Sequence, residues 1–389
     1  MEFKFADRLN SLEEGIFARL NEKKEELIKR GRTVYNLSIG TPDFTPDEHV
    51  MKAVSQAAMR AENYKYAISE LPELIQAMED FYRKRFGVSL DKEEIMAVYG
   101  SQEGLAHIGF ALCNPGDTVL VPNPGYPIFE VGPFLAGARM EYYPLLEENE
   151  FLPDLDRIPE ETARRAKFMV VSYPLNPVCV TAPPEFYERL VRFAEKYNIM
   201  IVHDNAYSDI VYDGIKGTSF LAFDGAKEVG VEFYSLSKSF NVTGARISFV
   251  VGNKEMVGQF RKLRSQIDYG IFLPVQYGAI AALTGPMDSV AAHCKEYQRR
   301  RDVLCGGLRK IGWPVPDSKG SMFAWGPIPA QYGSSEEFCM DLMEKTGVIV
   351  VPGSAFGTLG EGYVRFALVK PAAEMEEIVR VIEESGILG

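Results

Sequence analysis

Five residues of different chemistry stand just beyond apolar runs in the middle of this chain. Asn176 follows FMVVSYPL, Asp204 and Tyr207 follow IMIVH, Lys238 ends VEFYSLSK, and Arg246 comes a few residues later. They offer an amide, an acid, a phenol, an amine and a guanidinium. Singly, each has an ordinary explanation: Asp204 could cap a helix, Arg246 could serve a surface ion pair, and Lys238 could be a solvated loop lysine. Lys238, however, lies between Ser237 and Ser239, beside an apolar run and near Arg246. Burial and a neighbouring cation both disfavour an ammonium, so a lowered pKa is expected. A neutral lysine amine is the nucleophile that a Schiff base requires.

The apolar runs must position these groups. DTVLVP from Asp117, FMVVSYP from Phe168, IMIVHD from Ile199, VEFYSLS from Val231 and ISFVVGN from Ile247 read as strands. Pro122 and Pro174 are expected to close the first two. Continuous β-branched and aromatic content predicts strands covered on both faces. PEFYERLVRFAEKY, between two of them, places Phe186, Leu190, Phe193, Ala194 and Tyr197 on one helical face. The alternation predicts an α/β architecture with a mainly parallel, mixed central sheet covered by helices. Ligands of such sheets bind at the carboxyl ends of strands. Further helices are expected over Ser11–Arg30, Met51–Arg60 and Leu74–Phe86, with an extended VYNLSIG ending in a turn at Gly40-Thr41-Pro42. Beyond about Leu283 a charged helix (His293–Leu308), short strands near Met322–Trp325 and Val348–Val351, and a helix over Ala373–Ser385 suggest a smaller α+β unit.

Composition narrows the function. The 389 residues, 46% hydrophobic and 25% charged, can bury a core and suggest two domains. Lys plus Arg is 42 against 54 for Asp plus Glu, a net charge of −12, so neither nucleic acid nor a membrane is expected as partner. Five cysteines and four histidines are scattered without a C-x-x-C pair, which disfavours disulfides and a metal site. The start MEFKFADRLNSLEEG is acidic where a secretory signal is apolar, and no run reaches the ~20 apolar residues that span a bilayer. A cytoplasmic protein is expected. No G-x-G-x-x-G follows a strand, and no P-loop motif occurs.

Taken together, SLSKSFNVTGAR, YPLNPV, HDNAY, NPGYP, YGSQEGL and PGSAFG…GEGYVRFAL resemble, in order, the motifs of class I/II (fold type I) pyridoxal-phosphate aminotransferases. The resemblance runs from about Leu37 to the C-terminus. It implies that Lys238 forms the Schiff base with pyridoxal 5'-phosphate and that Asp204 pairs with the pyridine nitrogen. Tyr207 and Asn176 would bond the ring hydroxyl oxygen, and Tyr126 would stack on the ring. Ser101 and Gln102, at a helix start that favours an anion, would cup the phosphate with Ser235, Ser237 and Arg246. Tyr66 would reach the phosphate of a partner subunit, implying a homodimer with shared sites. Arg365 would clamp the substrate carboxylate, with Gly40 letting the backbone come close. The cofactor-binding domain would span 46–285, with 1–45 and 286–389 forming the small domain. The chain departs from the family pattern at Val178-Cys179, where Thr-Gly is usual, at Ala245 in place of Trp, and in the AISELPEL turn after Tyr66, which lacks a glycine.

The implied activity moves an amino group from an amino acid to a 2-oxo acid by a ping-pong route. FAWGPIPAQYG…EEF most resembles the branch with LL-diaminopimelate, aspartate, alanine and methionine-type aminotransferases. Side-chain selection would fall to residues near Ile16–Phe17, Ile39, Tyr126 and Phe272, segments without a cation for a second carboxylate, which a partner-subunit residue could supply. The expected donor is neutral, aromatic or dicarboxylic, with a preference for the first two. The alternatives are a C–S β-lyase on the same fold and a non-catalytic binding module, the latter disfavoured by intact Lys238, Asp204, Arg246 and Arg365. Cys179 is expected to be a buried small apolar group rather than a reactive thiol.

Overall fold

The computed structural model describes residues 3–11 and 16–389. A first short strand, β1 (Tyr35–Asn36), precedes the central sheet. That sheet comprises β2 (Ile95–Val98), β3 (Thr118–Asn123), β4 (Arg139–Pro144), β5 (Ala166–Ser172), β6 (Met200–Asn205), β7 (Gly230–Ser235) and β8 (Ser248–Gly252), in the order β2-β8-β7-β6-β5-β3-β4. β8 runs antiparallel to both neighbours and every other pair is parallel. The expected mixed α/β sheet is therefore present. Every residue of β2, β3, β7 and β8 is buried, which is why those runs are mainly apolar and their polar side chains, such as Glu232 and Ser248, are themselves buried.

The topology gathers the polar groups at one edge. Parallel β5, β6 and β7 all end there, so Asn176, Asp204 and Lys238 lie side by side. β8, running the other way, begins there, and Ser248 pairs with Ser235. β2 ends there too and leads through Tyr99-Gly100 into helix Ser101–Leu112. Reversal of one strand thus adds Arg246 and Ser248 to the edge.

Several expected boundaries move. The sequence reading did not find β2 or β4: IMAV is only four residues long, and RMEYYP is an outer strand with Tyr143 as its buried residue. Pro122 does not close β3 but lies within it. Beyond Leu120 the strand pairs with β4 alone, which accommodates a residue without an amide proton. The helix expected over Ser11–Arg30 runs Ile16–Lys29, after a 3-10 turn at Asp7–Ser11, and residues 12–15 lie outside the described residues. The charged helix is longer than expected, Asp288–Lys310.

A second sheet forms from β9 (Phe323–Pro327), β11 (Val351–Pro352) and β12 (Tyr363–Ala367), antiparallel in the order β11-β12-β9. The strand expected near Val348–Val351 is split: β10 (Val348–Ile349) pairs with β1 instead. Leu37 beyond β1 accepts a hydrogen bond from the Ala367 amide at 2.8 Å, so the N-terminal segment runs along the end of β12. Arg300 clamps that segment. Its two Nη groups donate to Asp43 at 2.7 and 2.9 Å, and Nη1 also donates to the Leu368 carbonyl at 3.0 Å. Removing one partner of a buried pair costs about 3–5 kcal/mol, but Asp43 is partly exposed and Glu296 stays within 3.3 Å of Arg300. We expect Asp43→Ala to lower unfolding stability by about 1–3 kcal/mol in urea titration, a loss that Asp43→Glu should partly recover.

Candidate active site

The edge opens into a cleft of about 960 Å³, within the range of small-molecule sites. Of the site residues singled out from the sequence whose side chains are described, all line it except Tyr66 and Phe272. Lys238 sits in the short helix Leu236–Ser239, whose N-cap Ser235 accepts from the Ser237 amide. The half-buried amine donates to the Gly40 carbonyl at 2.5 Å. Burial, then Arg365, then Arg246 pull its pKa down to about 8. The lowered value agrees with the sequence expectation, although the stronger cationic influence is Arg365. A Cβ on Gly40 would lie 2.2 Å from Phe323 Cζ, so glycine there admits a ring as well as presenting its carbonyl to the lysine.

Asp204, at the end of β6, is buried, and its Oδ1 has no hydrogen-bond partner among the described residues. Burial and the charge of Glu232 push its carboxyl up to about 7. Glu232 differs sharply. It accepts from Tyr82 Oη and Ser219 Oγ, each at 2.7 Å, from the Phe220 amide at 2.8 Å and from His203 Nδ1 at 3.0 Å. Burial alone would raise its pKa, but the bonds from His203, Tyr82 and Ser219 outweigh that and hold it down. Tyr207 is buried edge-on to Phe323, and burial raises its phenol pKa.

Opposite the acid is a row of donors. Ser101 and Gln102 open helix Ser101–Leu112. Ser101 Oγ lies 3.4 Å from Ser248 Oγ, which lies 3.2 Å from Ser235 Oγ. Arg246, in a left-handed conformation with φ 54°, donates to the Thr243 carbonyl at 2.8 Å and the Tyr99 carbonyl at 3.1 Å. Gly100 has φ 92°, and a Cβ there would fall 2.2 Å from Arg246 Nη2. Glycine is thus required both by backbone and by the guanidinium. Tyr126 Oη donates to Gln102 Oε1 at 3.3 Å, tying the ring to this helix start.

Arg365, in β12, is buried, and no carboxylate pairs with it among the described residues. Nη1 donates to Asn176 Oδ1 and Nη2 to the Ser38 carbonyl, both at 2.9 Å, while Nε is unpartnered. Its guanidinium carbon stands 4.1 Å from the Phe323 ring centre and 4.7 Å from that of Phe356. Burial draws its pKa down to about 10. Sequence reasoning missed Phe323, Ser38 and Ser248, none of which follows an apolar run in the way the five starting residues do.

Some expectations land elsewhere. Tyr66 is 76% exposed, packs against Tyr269 and is outside this chain's cleft. Phe272 packs against Tyr64 and does not line the cleft either. Ile16 and Ile39 do line it, while the Phe17 side chain lies outside the described residues. A second cation comes from just outside these segments: Arg19, one helical turn beyond Ile16 and so on the same face, lines the cleft together with Glu336. Cys179 is buried with its thiol pushed up to about 12 by burial, the inert group expected. It has φ 62°, a left-handed conformation at the position where the family usually has glycine.

A lysine of lowered pKa, set between a buried acid and an array of anion donors at the carboxyl edge of a mixed sheet, answers the needs of a fold type I pyridoxal-phosphate enzyme. Residues 32–382 match the aminotransferase class I and II family, and the chain belongs to it. It is 42% identical over 376 residues to an LL-diaminopimelate aminotransferase of Dehalococcoides mccartyi, covering 96% of this chain and 97% of that protein. It is 41% identical to another of that name from Halothermothrix orenii, covering 98% of each. Among solved structures, substrate-bound BacF from Bacillus subtilis superposes with a TM-score of 0.94 at 34% identity, covering 99% of this chain and 98% of that one. This protein is an aminotransferase and its cofactor is pyridoxal phosphate.

The geometry around Lys238 predicts its titration. In cofactor-free protein an amine-selective acylating reagent should label Lys238 along a pH curve centred near 8, followed by mass spectrometry. Arg365→Met should move that midpoint upward, because it removes a cation that disfavours the ammonium. An unmoved midpoint would reject the influence of Arg365.

Proposed function

We propose that this chain transfers the amino group of LL-diaminopimelate to a 2-oxo acid in two half-reactions at the one cleft. The reading is carried by the half-buried Lys238 amine standing near a buried Arg365 that has no carboxylate partner among the described residues. A guanidinium so placed is relieved of desolvation cost by an incoming carboxylate. The names of the relatives above support the substrate, and they displace the earlier preference for a neutral or aromatic donor.

The residues fit pyridoxal phosphate on their own geometry. The unpartnered Oδ1 of Asp204 suits a ring N–H, and Gly100 keeps space open beside Arg246. When bound, the cofactor supplies an aldehyde for the donor amine and a protonated ring that takes up electrons from Cα. Lys238 would hold it through Nζ, and Asp204 would face the ring nitrogen. Tyr207 and Asn176 would serve the ring oxygen, and Tyr126 would cover the ring. Ser101, Gln102, Ser235, Ser237 and Arg246 would bind the phosphate. Oriented local donors explain how a chain of net charge −12 holds such an anion.

The donor's α-carboxylate would rest on Arg365, which keeps unused N–H groups beyond its bonds to Asn176 and Ser38. That fixes Cα within reach of Lys238. With a pKa near 8, the amine is partly neutral at physiological pH and can take the Cα proton as general base, then return it. Lys238→Ala should lower transamination by at least about a thousandfold while the protein still takes up cofactor, measured by coupled assay and absorbance. Wild-type rates in that variant would reject the assignment. A half-reaction panel should show the cofactor spectrum responding most strongly to LL-diaminopimelate. A stronger response to aspartate, alanine or an aromatic amino acid would reject the substrate.

We also propose a homodimer in which Tyr66 reaches the partner's phosphate, consistent with its exposed position outside its own cleft. Sedimentation should give twice the 43.5 kDa chain mass. Tyr66→Phe should weaken cofactor binding about 10-fold, the loss of one charge-assisted hydrogen bond. A monomer, or unchanged affinity, would reject it.

A further inference from the structure

Among the described residues, six charged side chains line the cleft: Arg19, Asp204, Lys238, Arg246, Glu336 and Arg365. Four have been accounted for above. Arg19 and Glu336 have not, and they pair with each other, Nη2 to Oε1, at 2.5 Å. They come from two helices that pack together. Leu20, next to Arg19, and Leu27 are buried against Met343 and Ile349, with Ile16 and Met340 packed on the same cluster. Lys23 and Arg30 both pair with Glu344, further along the second helix. Helix Ile16–Lys29 is thereby seated on helix Ser335–Thr346 and carries Arg19 to Glu336.

The base under Glu336 is firm as well. Ser334 caps the helix by accepting from the Glu337 amide. Ser335, buried, donates its amide to Glu361 Oε1 at 2.5 Å, and its hydroxyl lies 3.2 Å from that of Ser354, another cleft residue. The pair itself is open to solvent, with side chains 57% and 39% exposed. Such an ion pair contributes little stability, so exchanging its partners costs little.

We propose that Arg19 and Glu336 recognise the far end of the amino donor, Arg19 taking a distal carboxylate and Glu336 a distal ammonium. This rests on the diaminopimelate reading given above and names the residues that would enforce it. That donor is a dicarboxylate with an amino group beside each carboxylate. Once one end is held by Arg365 and the cofactor, the other end is itself a zwitterion. A zwitterion can enter a cation–anion pair by exchanging each protein–protein contact for a protein–substrate contact, with no charge left over. A plain dicarboxylate such as glutamate lacks the distal ammonium and leaves its carboxylate facing Glu336. A neutral side chain offers the pair nothing. One cation with one anion therefore selects for a second amino-acid end and against a simple acid.

The test uses the cofactor-loaded enzyme and compares LL-diaminopimelate with L-glutamate as donor. In Glu336→Gln, the ratio of kcat/KM for LL-diaminopimelate to that for L-glutamate should fall about 10- to 100-fold, and in Arg19→Gln kcat/KM for LL-diaminopimelate should itself fall about 10- to 100-fold, both chiefly through KM. Glu336→Gln should in addition raise kcat/KM for L-glutamate, because it removes a like charge. Thermal midpoints close to wild type would show that both variants fold. If wild type uses LL-diaminopimelate and both the ratio in Glu336→Gln and kcat/KM for LL-diaminopimelate in Arg19→Gln stay within about twofold of wild type, the pairing falls while the substrate reading stands. If wild type does not turn over LL-diaminopimelate, the substrate reading falls and the pairing with it.

Discussion

The site depends on Lys238 and Arg365 sharing one cleft, with no carboxylate paired to either among the described residues. Arg365 is buried on neutral partners, the Asn176 amide and the Ser38 carbonyl, with two aromatic rings against its guanidinium. The rings offset part of the desolvation cost, but a ring quadrupole is weaker than a carboxylate. Lys238 responds with a pKa drawn down to about 8, so that part of it is neutral near physiological pH. The cleft is thus prepared for an anion at the arginine and a reactive amine beside it. Three stretches of chain must meet to make this arrangement: the N-terminal segment at Ser38–Gly40, the carboxyl edge of the central sheet, and β12.

Two buried carboxylates on neighbouring strands, Asp204 at the end of β6 and Glu232 inside β7, show opposite strategies. Glu232 is surrounded by donors and keeps its charge at no great cost. Asp204 has an oxygen without a donor and lies in the field of Glu232, so its own ionisation is disfavoured until something cationic arrives. Satisfying one acid completely while starving its neighbour makes Asp204 the group that answers to a ligand. Glu232 was not among the residues singled out, because an acid in the middle of an apolar strand carries no local mark of the bonds it will receive.

The central strands were readable because strands buried on both faces carry mainly apolar, β-branched and aromatic residues, and β5, β6, β7 and β8 each hold such a run. The two that were missed break that rule in different ways. β2 is too short to stand out, and β4 is an outer strand whose residues are mostly solvated. Pro122 misled for a related reason: a proline ends a strand only where its amide is needed, and the loss of pairing to β5 beyond Leu120 is a property of the sheet. At Cys179 a departure from the family pattern was visible, but its consequence, a left-handed backbone without glycine, required the fold.

The linear order of residues was enough to establish a layered α/β protein and to mark Asn176, Asp204, Tyr207 and Lys238. Each follows a buried strand, and chain direction in a parallel sheet puts all such positions on one edge. Folding alone decided which distant groups join them. Arg365 and Gly40, which the family resemblance had already marked, arrive from a second sheet and the N-terminal segment, while Phe323, and Arg19 with Glu336 from two helices packed on each other, came only with the fold. Pairings across hundreds of residues depend on how layers stack and how helices seat, and no local spacing encodes either.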